Sequence, residues 1–504
     1  MKPILSPSEM AEADAYTINE LGVEGIELMA RAGRSCVSIL QSRTDFHREH
    51  SVLILAGTGN NGGDAFVVAE ILRDKGVSVR VLVYGDKDKI KPDARYFYDL
   101  YISSGGAPEH LEGDLHIPQG TDWIIDGLLG TGLKGPLKGP LTQWVQSINQ
   151  SAAKVFSIDI PTGSVPTGNS RSAVQADQCV TFQALKPAHV MAPSCFHSAK
   201  LAVVDIGIKW GKPGPYRRFA LEPSDLIIPK RAPNSHKGVF GTLGILGGAA
   251  GMEGAAALAG MASLRMGVGK TRIFSEAPIS PKFHLAALMV TSWDLDFNQD
   301  PYEAWVIGPG LSQSERAGAR VTELVECLKE RPRRTLWDAD ALTFFPAHVN
   351  SLKNWVITPH PGEAARLLNV PTSDIQEDRE AAICELGKRF PNGWIVLKGA
   401  RTLIRSPQGH LFVCTCGDAS LAVAGSGDVL SGMIGSLLAQ NAPMDQAVLT
   451  GVLRHAMGGE NWSKNHPDYA MLPEDLIEDL TMPMSPTDRI EAIQEYKGYQ
   501  HLYD

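Results

Sequence analysis

A strand, a glycine-rich stretch, a helix and a second strand near the start of the chain constrain its fold most. Residues 51–57, SVLILAG, form an apolar run typical of a buried strand. GTGNNGGD follows at 57–64, and AFVVAEILRDKG at 65–76 has the pattern of a helix that ends at Gly76. VSVRVLVYG at 77–85 is the next strand. Two strands joined by a helix in this order predict a parallel α/β sheet.

The same alternation recurs along the chain and predicts two α/β domains. With 504 residues, 43% of them hydrophobic, the chain is long enough for two separate cores. Helical segments are expected over 8–42, 253–267, 427–440 and 443–462, and buried strands over 122–128, 154–161, 178–185, 200–207, 241–248, 270–276, 304–310, 335–341, 354–363 and 394–400. The boundaries expected are a first domain at 1–215, a Pro-rich and basic linker at 216–235, a second domain at 236–490 and a peripheral tail at 491–504.

Charge and composition exclude several classes of partner. The net charge is −9 and no block of Lys and Arg occurs, so no nucleic-acid partner is expected. No run of 18 apolar residues and no signal peptide are present, which predicts no membrane association and a cytoplasmic location. The seven cysteines include no CxxC pair and are expected to be free thiols.

The first six residues of GTGNNGGD satisfy the dinucleotide fingerprint G-x-G-x-x-G, which alone is a weak signal. Asp64 argues against a simple phosphate loop, because a carboxylate at the helix start would repel a bound phosphate. Three alternatives remain for Asp64: it caps the helix, it is balanced by a cation, or it meets a ligand hydroxyl.

Two later loops supply further polar groups at strand ends: IIDGLLGTGLKGPL at 124–137 and IDIPTG at 158–163. Asn61, Asp126 and Thr162 are hard oxygen donors and suit a hard cation. The glycines at 130–135 can form a second backbone cradle for phosphate.

GTGNNGGD, DGLLGTGLKGPL and DIPTG together resemble the NAD(P)H-hydrate epimerase family over roughly residues 1–215. The resemblance implies a Rossmann-like three-layer sandwich that binds hydrated NADH or NADPH as substrate, not as redox cofactor. It implies a K⁺ ion held by Asn61, Asp126 and Thr162, and proton transfer by Asp159. Lys186 would assist Asp159, unless it is an ordinary surface lysine. The implied substrate contacts are Asn60, Asn61, Gly62, Gly63, Asp64, Gly130, Thr131, Gly132, Leu133, Lys134, Gly135, Pro136 and Asp159.

AGSGDVLSG at 424–432 is the richest stretch of the second half. Gly425, Ser426 and Gly427 would present backbone N–H groups at a helix N-terminus, forming an anion hole for a transferring phosphoryl group. Asp428 is placed to deprotonate a hydroxyl that attacks phosphorus. The plainer alternative is a glycine-rich turn capped by Asp428.

The GSGD pattern resembles the ribokinase-like superfamily. Five further motifs make the stretch of roughly 225–490 similar to the NAD(P)H-hydrate dehydratase family: HKG, GPGL, DADAL, TPHPGE and LKGART. The resemblance implies a ribokinase-like α/β/α sandwich with Asp428 as catalytic base. The implied hydrate contacts are Gly310, His360 and Asp428, and the implied nucleotide contacts are Lys398, Gly399, Ala400, Arg401, Thr402 and Gly427. Outside this motif, a histidine between prolines such as His360 is more often structural.

The two resemblances imply one bifunctional repair enzyme. It would interconvert the R and S forms of hydrated NADH and NADPH, and would dehydrate the S form with ADP, giving AMP and phosphate. Phosphorylation turns the C6 hydroxyl into a good leaving group, which the ring nitrogen expels, while Mg²⁺ offsets charge. An oligomer of identical chains is also expected.

Three other functions compete with this interpretation. The second half can be a small-molecule kinase with a regulatory first half, because GSGD alone does not distinguish the two. The first half can be a non-catalytic binding module, although its acid and cation ligands are all present. A redox dehydrogenase is least favoured, since nothing beyond the fingerprint supports a hydride acceptor site.

Overall fold

The computed structural model describes residues 1–111, 113–133, 135–165, 172–211, 217–279, 286–297, 301–482 and 490–493. The chain divides into two compact units. The first contains the described residues of 2–216 with the strand at 490–493, and the second those of 217–488. No helix among the described residues is both long and apolar enough to cross a bilayer.

The first unit is built on one parallel sheet, preceded by a short strand, β1 (Lys2–Pro3). The strands of the sheet are β2 (Ser51–Ala56), β3 (Ser78–Tyr84), β4 (Glu109–Leu111), β5 (Trp123–Gly127), β6 (Lys154–Ile158), β7 (Gln178–Phe182), β8 (Leu201–Val204) and β19 (Ile490–Ile493). Their order is β19-β8-β7-β6-β5-β2-β3-β4. The helices are α1 (Pro7–Asn19), α2 (Gly25–Ser42), α3 (Asn60–Asp74), α4 (Pro92–Ser103), α5 (Pro140–Gln150) and α6 (Pro187–Val190).

Helices cover both faces of this sheet. Successive residues of a strand point to opposite faces. Accordingly, Val52 and Ile54 of β2 belong to the apolar cluster that includes residues of α2 and α3, whereas Leu53 and Leu55 belong to the cluster around Trp144 of α5. The first unit is therefore a three-layer α/β sandwich, and the predicted α/β class is confirmed.

Helix α3 begins earlier than the sequence predicts. Its N-cap is Gly59, so NNGGD forms the first turns of the helix rather than a loop. A Cβ on residue 62 would lie 1.9 Å from the carbonyl oxygen of Gly57, which only glycine avoids. The glycines thus allow tight packing of the helix start against the end of β2, and Asp64 is not the helix cap.

The second unit has a longer, mixed sheet. Its strands are β9 (Arg218–Leu221), β10 (Thr242–Leu246), β11 (Lys270–Ser275), β12 (Met289–Ser292), β13 (Ala304–Ile307), β14 (Arg334–Trp337), β15 (Trp355–Ile357), β16 (Trp394–Leu397), β17 (Leu403–Arg405) and β18 (Leu411–Cys414). They are ordered β9-β18-β17-β16-β15-β14-β13-β10-β11-β12, and β17 is antiparallel to both of its neighbours. The helices are α7 (Glu253–Arg265), α8 (Glu315–Glu330), α9 (Ala341–His348), α10 (Pro361–Leu368), α11 (Thr372–Glu377), α12 (Arg379–Arg389), α13 (Ser426–Ala439), α14 (Met444–Asn465) and α15 (Pro473–Asp479).

Helix α13 is held close to α7, which fixes the position of the GSGD motif at its start. A Cβ on Gly432 of α13 would lie 2.1 Å from the carbonyl oxygen of Ala259 of α7. Ala256 and Ala259 of α7 and Met433 of α13 share one buried cluster with the strands of the sheet. Small residues on both helices therefore allow the backbones to approach.

Seven strands lie where the sequence analysis predicts none, namely β1, β4, β9, β12, β17, β18 and β19. Two of them, β9 and β19, have partners that are far away along the chain. β9 lies inside the expected linker at 216–235 and pairs in parallel with β18. β19 lies at the expected junction of the second domain and the tail, yet it pairs in parallel with β8 of the first unit. Both strands have four residues and partners almost 200 or more positions away, so no local pattern reveals them.

Candidate functional site

The first cluster of candidate side chains lies at the carboxyl ends of β2, β5, β6 and β7, with Asp126 at its base. Asp126 is fully buried in β5. Its Oδ2 accepts hydrogen bonds from Thr162 N (2.8 Å) and Ser157 Oγ (2.9 Å), and its Oδ1 accepts one from Thr162 Oγ1 (2.6 Å). Burial raises the pKa of Asp126, and these hydrogen bonds oppose the rise. Asp126 and Thr162, two of the predicted cation ligands, are thus in direct contact.

Asn61, the third predicted ligand, is buried in the first turn of α3. Neither its Oδ1 nor its Nδ2 has a hydrogen-bond partner among the described residues. A Cβ on Gly130 would lie 3.5 Å from Asn61 Cγ and 3.1 Å from Asp159 Oδ2. Asn61, the glycine-rich loop and Asp159 therefore meet in one place. Because buried amides are almost always hydrogen-bonded, an unpartnered one calls for a further partner, such as a water molecule, an ion or a ligand.

Asp159 forms a buried ion pair with Lys186. The ammonium donates to Asp159 Oδ1 (2.8 Å), Thr181 Oγ1 (2.7 Å) and the carbonyl of Phe182 (2.9 Å). Thr181 Oγ1 donates to the same Asp159 oxygen at 3.0 Å. Lys186 is only 3% exposed, so the alternative of an ordinary surface lysine is wrong. Sequence reasoning missed Thr181, for which no motif gives a signal.

The backbone around Asp159 is also fixed. Asp159 has φ = 61°, in the left-handed region that non-glycine residues rarely adopt. His189 Nε2 donates to the carbonyl of Asp159 (2.8 Å), and His189 Nδ1 accepts from Lys186 N (3.0 Å). Burial raises the pKa of Asp159, but the charge and hydrogen bond of Lys186 outweigh it and leave the pKa below its ordinary value. Asp159 is therefore an ionised carboxylate, able to accept a proton.

Asp64 lies on α3, inward of the helix start, and is 8% exposed. Burial raises its pKa well above the ordinary value, and the charges of Asp159 and Asp14 add to the rise. Of the glycine-rich loop at 130–136, Lys134 lies outside the described residues. The other six are partly or fully exposed after β5, where a ligand can reach them.

The second cluster is centred on the start of α13. Gly425, with φ = 93°, is the N-cap, and Asp428 lies in the first turn, so Asp428 is not the cap. The first N–H groups of a helix have no intrahelical acceptor and favour an anion. His455 Nε2, 2.9 Å from the carbonyl oxygen and 3.0 Å from Oγ of Ser426, steadies this turn.

Burial raises the pKa of Asp428 to about 7, and the nearby carboxylates of Asp338, Glu363 and Asp340 add to the rise. The ammonium of Lys398 opposes it. A carboxylate with such a pKa can take up a proton and release it again near neutral pH, as a general base requires.

A buried network joins the ends of β14 and β16 to α13. Lys398 Nζ donates to Asp338 Oδ1 (2.6 Å) and lies 3.9 Å from Glu363 Oε2. Ser431 Oγ donates to Asp338 Oδ2 at 2.7 Å. Of the residues in this network, the sequence analysis identifies only Lys398 as a candidate. DADAL and TPHPGE contain Asp338 and Glu363, but no pattern shows that they meet Lys398.

His360 caps α10. Its Nδ1 accepts hydrogen bonds from Gly362 N (3.0 Å) and Glu363 N (3.4 Å). The side chain nevertheless remains 54% exposed, so a ligand can reach it. Burial lowers the pKa of His360, and Lys398 lowers it further. Gly310, with φ = 58°, follows β13.

The loop at 398–402 is ordered by Arg379. Its guanidinium donates to the carbonyls of Leu397 (3.1 Å) and Lys398 (3.2 Å), and also to that of Ala400. This arrangement brings Lys398 beside Gly427, since a Cβ on residue 427 would lie 3.3 Å from Lys398 Nζ. Two of the predicted nucleotide contacts, from separate elements, are thus adjacent.

Both halves of the chain match family models. Residues 25–188 match the model described as YjeF-related protein N-terminus, and residues 243–482 match NAD(P)H-hydrate dehydratase. A relative from Escherichia coli (strain K12), the bifunctional NAD(P)H-hydrate repair enzyme Nnr, is 34% identical over 477 residues, covering 92% of this chain and 91% of its own. The enzyme of the same name from Coxiella burnetii is 31% identical, covering 93% and 96%.

Among solved structures, an ADP/ATP-dependent NAD(P)H-hydrate dehydratase from Bacillus subtilis, co-crystallised with ATP and Mg²⁺, is 31% identical. It matches 50% of this chain and 91% of its own, with a TM-score of 0.43. The resemblance predicted from the motifs is confirmed by the full-length relatives. This chain therefore belongs to the family of bifunctional NAD(P)H-hydrate repair enzymes.

Proposed function

We propose that the first domain, within residues 1–215, interconverts the two C6 epimers of hydrated NADH and NADPH. The second, within 236–490, dehydrates the S epimer at the expense of ADP. Family membership supports both activities. The observation that carries the proposal is Asp428, a half-buried carboxylate with a pKa of about 7 in the first turn of a helix.

In the dehydratase, Asp428 takes the proton of the C6 hydroxyl as its oxygen attacks the β-phosphorus of ADP. A new O–P bond forms, and the bond to AMP breaks. The N–H groups at the start of α13 bind the transferring phosphoryl group. The ring nitrogen then expels phosphate from C6, and loss of a proton from C5 restores the dihydropyridine. A Mg²⁺ ion bound with the nucleotide would offset the charge of its phosphates.

In the epimerase, Asp159 is the proton-transfer group. Lys186 keeps it ionised and fixed by a 2.8 Å hydrogen bond. Inversion at C6 balances with an ionised carboxylate if the ring opens: Asp159 takes the proton of the C6 hydroxyl as the bond from C6 to the ring nitrogen breaks and an aldehyde forms. The ring nitrogen then adds to the opposite face of the aldehyde, and the new alkoxide takes the proton back from Asp159. A carboxylate that can accept and return one proton serves both directions.

The proposed cation of the epimerase is K⁺, held by Asn61, Asp126 and Thr162. The residues fit such an ion: all three offer hard oxygen atoms, and the buried Asn61 amide has no protein partner among the described residues. The ion would supply a positive charge to the site. Asp126 and Thr162 hold each other in place.

Removing K⁺ is expected to lower the stability of the first unit. A ligand at 100 times its Kd stabilises by about 2.7 kcal/mol, which corresponds to a rise of about 5 °C or more in Tm for a domain of this size. Differential scanning calorimetry in KCl and in tetramethylammonium chloride of equal ionic strength measures this difference in Tm. Asn61→Ala is the matched variant, in which the K⁺-dependent rise is expected to vanish. An equal rise in this variant would exclude Asn61 as a ligand.

The proposed dehydratase base gives a defined pH profile. With a pKa of about 7, the ionised fraction of Asp428 rises about tenfold between pH 6 and pH 8. We therefore expect kcat/KM for the S hydrate, at saturating ADP, to rise by the same factor and to level off above pH 8. Stopped-flow absorbance at the reduced-nicotinamide band checks this. A flat profile over this range would contradict Asp428 as the base.

The whole function is tested with a mixture of both NADH-hydrate epimers, Mg²⁺, K⁺ and either ADP or ATP. Recovery of the full absorbance supports both activities and identifies the phosphoryl donor. Recovery that stops at the share of one epimer removes the epimerase proposal, provided spontaneous epimerisation is slower. Accumulation of a phosphorylated product without reduced nicotinamide would favour the small-molecule kinase.

Further contacts of the two substrates remain proposals. For the hydrate in the first domain they are Asn60, Gly62, Gly63, Asp64 and residues 130–136; in the second they are Gly310 and His360, with 398–402 and Gly427 for the nucleotide. Their support is the family motifs and their positions after the strand ends. A homo-oligomeric, cytoplasmic enzyme remains a prediction from the sequence.

A further inference from the structure

The ammonium of Lys398 points away from the loop to which it belongs. The rest of the proposed nucleotide loop follows it at 399–402, yet Lys398 Nζ lies 2.6 Å from Asp338 Oδ1, at the end of β14. The Lys398 side chain is 18% exposed, whereas that of Asp338 is only 2% exposed. The lysine side chain is thus partly exposed, whereas the carboxylate that holds it is buried.

Asp338 is fixed on three sides. Its Oδ1 accepts from Lys398, its Oδ2 accepts from Ser431 Oγ at 2.7 Å, and its backbone N–H donates to the carbonyl of Ile307 at 3.0 Å. Ser431 lies three residues after Asp428 on α13, and therefore on the same side of that helix. The network thus ties the lysine to the helix that bears the proposed base.

The ammonium borders the start of α13. A Cβ on Gly427 would lie 3.3 Å from Lys398 Nζ and 4.0 Å from Asp338 Oδ2. The first N–H groups of α13 are the proposed anion hole. A fixed positive charge at that point adds to the field of the helix terminus.

We infer that Lys398 supplies a fixed positive charge to the phosphoryl group during transfer, and that Asp338 and Ser431 position its ammonium. The inference rests on the proposed dehydratase function and deepens it. Lys398 then contacts the transferring phosphate, while the backbone of 399–402 remains the proposed nucleotide contact. Asp338 and Ser431 are positioning residues, since they act through Lys398.

The charges around Asp428 make this network testable through pH. Among the described residues, the titratable groups that interact with Asp428 or Lys398 are Asp338 and Asp340 after β14, His360 and Glu363 at α10, and His455 on α14. Lys398 lowers the pKa of Asp428, whereas Asp338 raises it. Removing the charge of Lys398 is therefore expected to move the acidic limb of the pH–activity profile to higher pH. Removing the charge of Asp338 is expected to move it to lower pH.

The test uses the full chain, four single variants and one double variant, with kcat, KM, the pH profile and the ADP dissociation constant measured for each. Lys398→Met is expected to lower kcat by about 10²-fold, to leave ADP affinity within about threefold, and to shift the acidic limb to higher pH. Asp338→Asn is expected to lower kcat by about tenfold and to shift the limb to lower pH. Ser431→Ala removes no charge, so kcat falls by about fivefold and the limb stays in place.

Asp340→Asn is the matched control. It removes a carboxylate from the same strand end, but Asp340 accepts from Ser312 N and Gln313 Nε2 instead of holding Lys398. In Asp340→Asn the acidic limb of the pH–activity profile is expected to move to lower pH, and kcat is expected to fall less than in Asp338→Asn. Lys398→Met leaves Asp338 buried without its counter-charge, so the double variant Asp338→Asn/Lys398→Met, which leaves neither charge of the pair, is measured with it.

Weaker ADP binding with native kcat in Lys398→Met would overturn the inference and make Lys398 a nucleotide ligand. Native kcat in the double variant would overturn it as well. If the acidic limb of the pH–activity profile moved in the same direction in Lys398→Met and in Asp338→Asn, the pair would have a purely structural role. If the wild-type chain itself fails to regenerate NADH with ADP or ATP, the proposed function fails, which is distinct from any of these results.

Discussion

Asp428→Asn is expected to reduce dehydration of the S hydrate by about 10³-fold, because the variant retains the shape of the side chain but cannot accept the hydroxyl proton. Binding of ADP is expected to change little, since the anion hole is formed by backbone N–H groups. The measurement is single-turnover regeneration of NADH with ADP and Mg²⁺. Epimerisation, followed by chromatography of the R and S forms, is expected to be native.

The same substitution is expected to leave stability unchanged or to raise it. Asp428 is half-buried, and its charged form is disfavoured first by burial and then by Asp338, Glu363 and Asp340. An amide has no such penalty, so Tm is expected to equal or exceed that of the wild type. A large fall in Tm would make the loss of activity uninterpretable as loss of a base.

Asp445→Asn provides the matched control. Asp445 also lies in the first turn of a helix, α14, but it is exposed. Native activity in this variant, with loss of activity in Asp428→Asn, shows that the effect belongs to the site and not to the helix dipole in general. A residual rate in Asp428→Asn within tenfold of the wild type would contradict the proposed base.

The strands that the sequence predicts well are the buried ones bounded by glycine, such as β2 and β5. Their apolar runs are local signals that do not depend on the rest of the fold. Helix α3 was predicted to start at residue 65, because glycines normally disfavour helix. The tight contact of Gly62 with Gly57, which the sequence does not show, makes them favourable there.

The candidate sites were predictable to the extent that strand ends in a parallel sheet converge. Asp126 and Asp159 follow from that rule. The partners that set the chemistry of Asp428 do not follow from it, because Lys398 and Asp338 are 60 residues apart and meet only through the order of β14, β15 and β16. Sequence motifs thus identify the reacting groups, while the charges that tune them depend on topology.

Asp159→Asn is expected to lower epimerisation by at least about 10²-fold, since it removes the proposed proton-transfer group. In the coupled assay with both epimers, NADH recovery is expected to stop at the share of the S form. The dehydratase rate on pure S hydrate is expected to be native. Full recovery at the wild-type rate would exclude Asp159 from the reaction.

Stability is expected to fall in the same variant, because Lys186 is 3% exposed and loses its only charged hydrogen-bond partner among the described residues. Breaking a buried pair from one side costs about 3 to 5 kcal/mol. Glu109→Gln is the matched control in the same unit, since Glu109 contacts Arg80 in a pair whose side chains are 54% and 49% exposed. This control substitution is expected to lower the free energy of unfolding by less than about 1 kcal/mol and to leave epimerisation at the native rate.

The double variant Asp159→Asn/Lys186→Met separates stability from chemistry. It leaves no unpaired member of this ion pair, so much of the lost stability is expected to return. With Lys186→Met measured as well, the free energies of unfolding of the wild type and the three variants give the coupling between the two residues. Epimerisation is expected to remain lost, because a stable fold does not replace the carboxylate. Return of activity together with stability would mean that the pair only supports the fold, and that another group transfers the proton at C6.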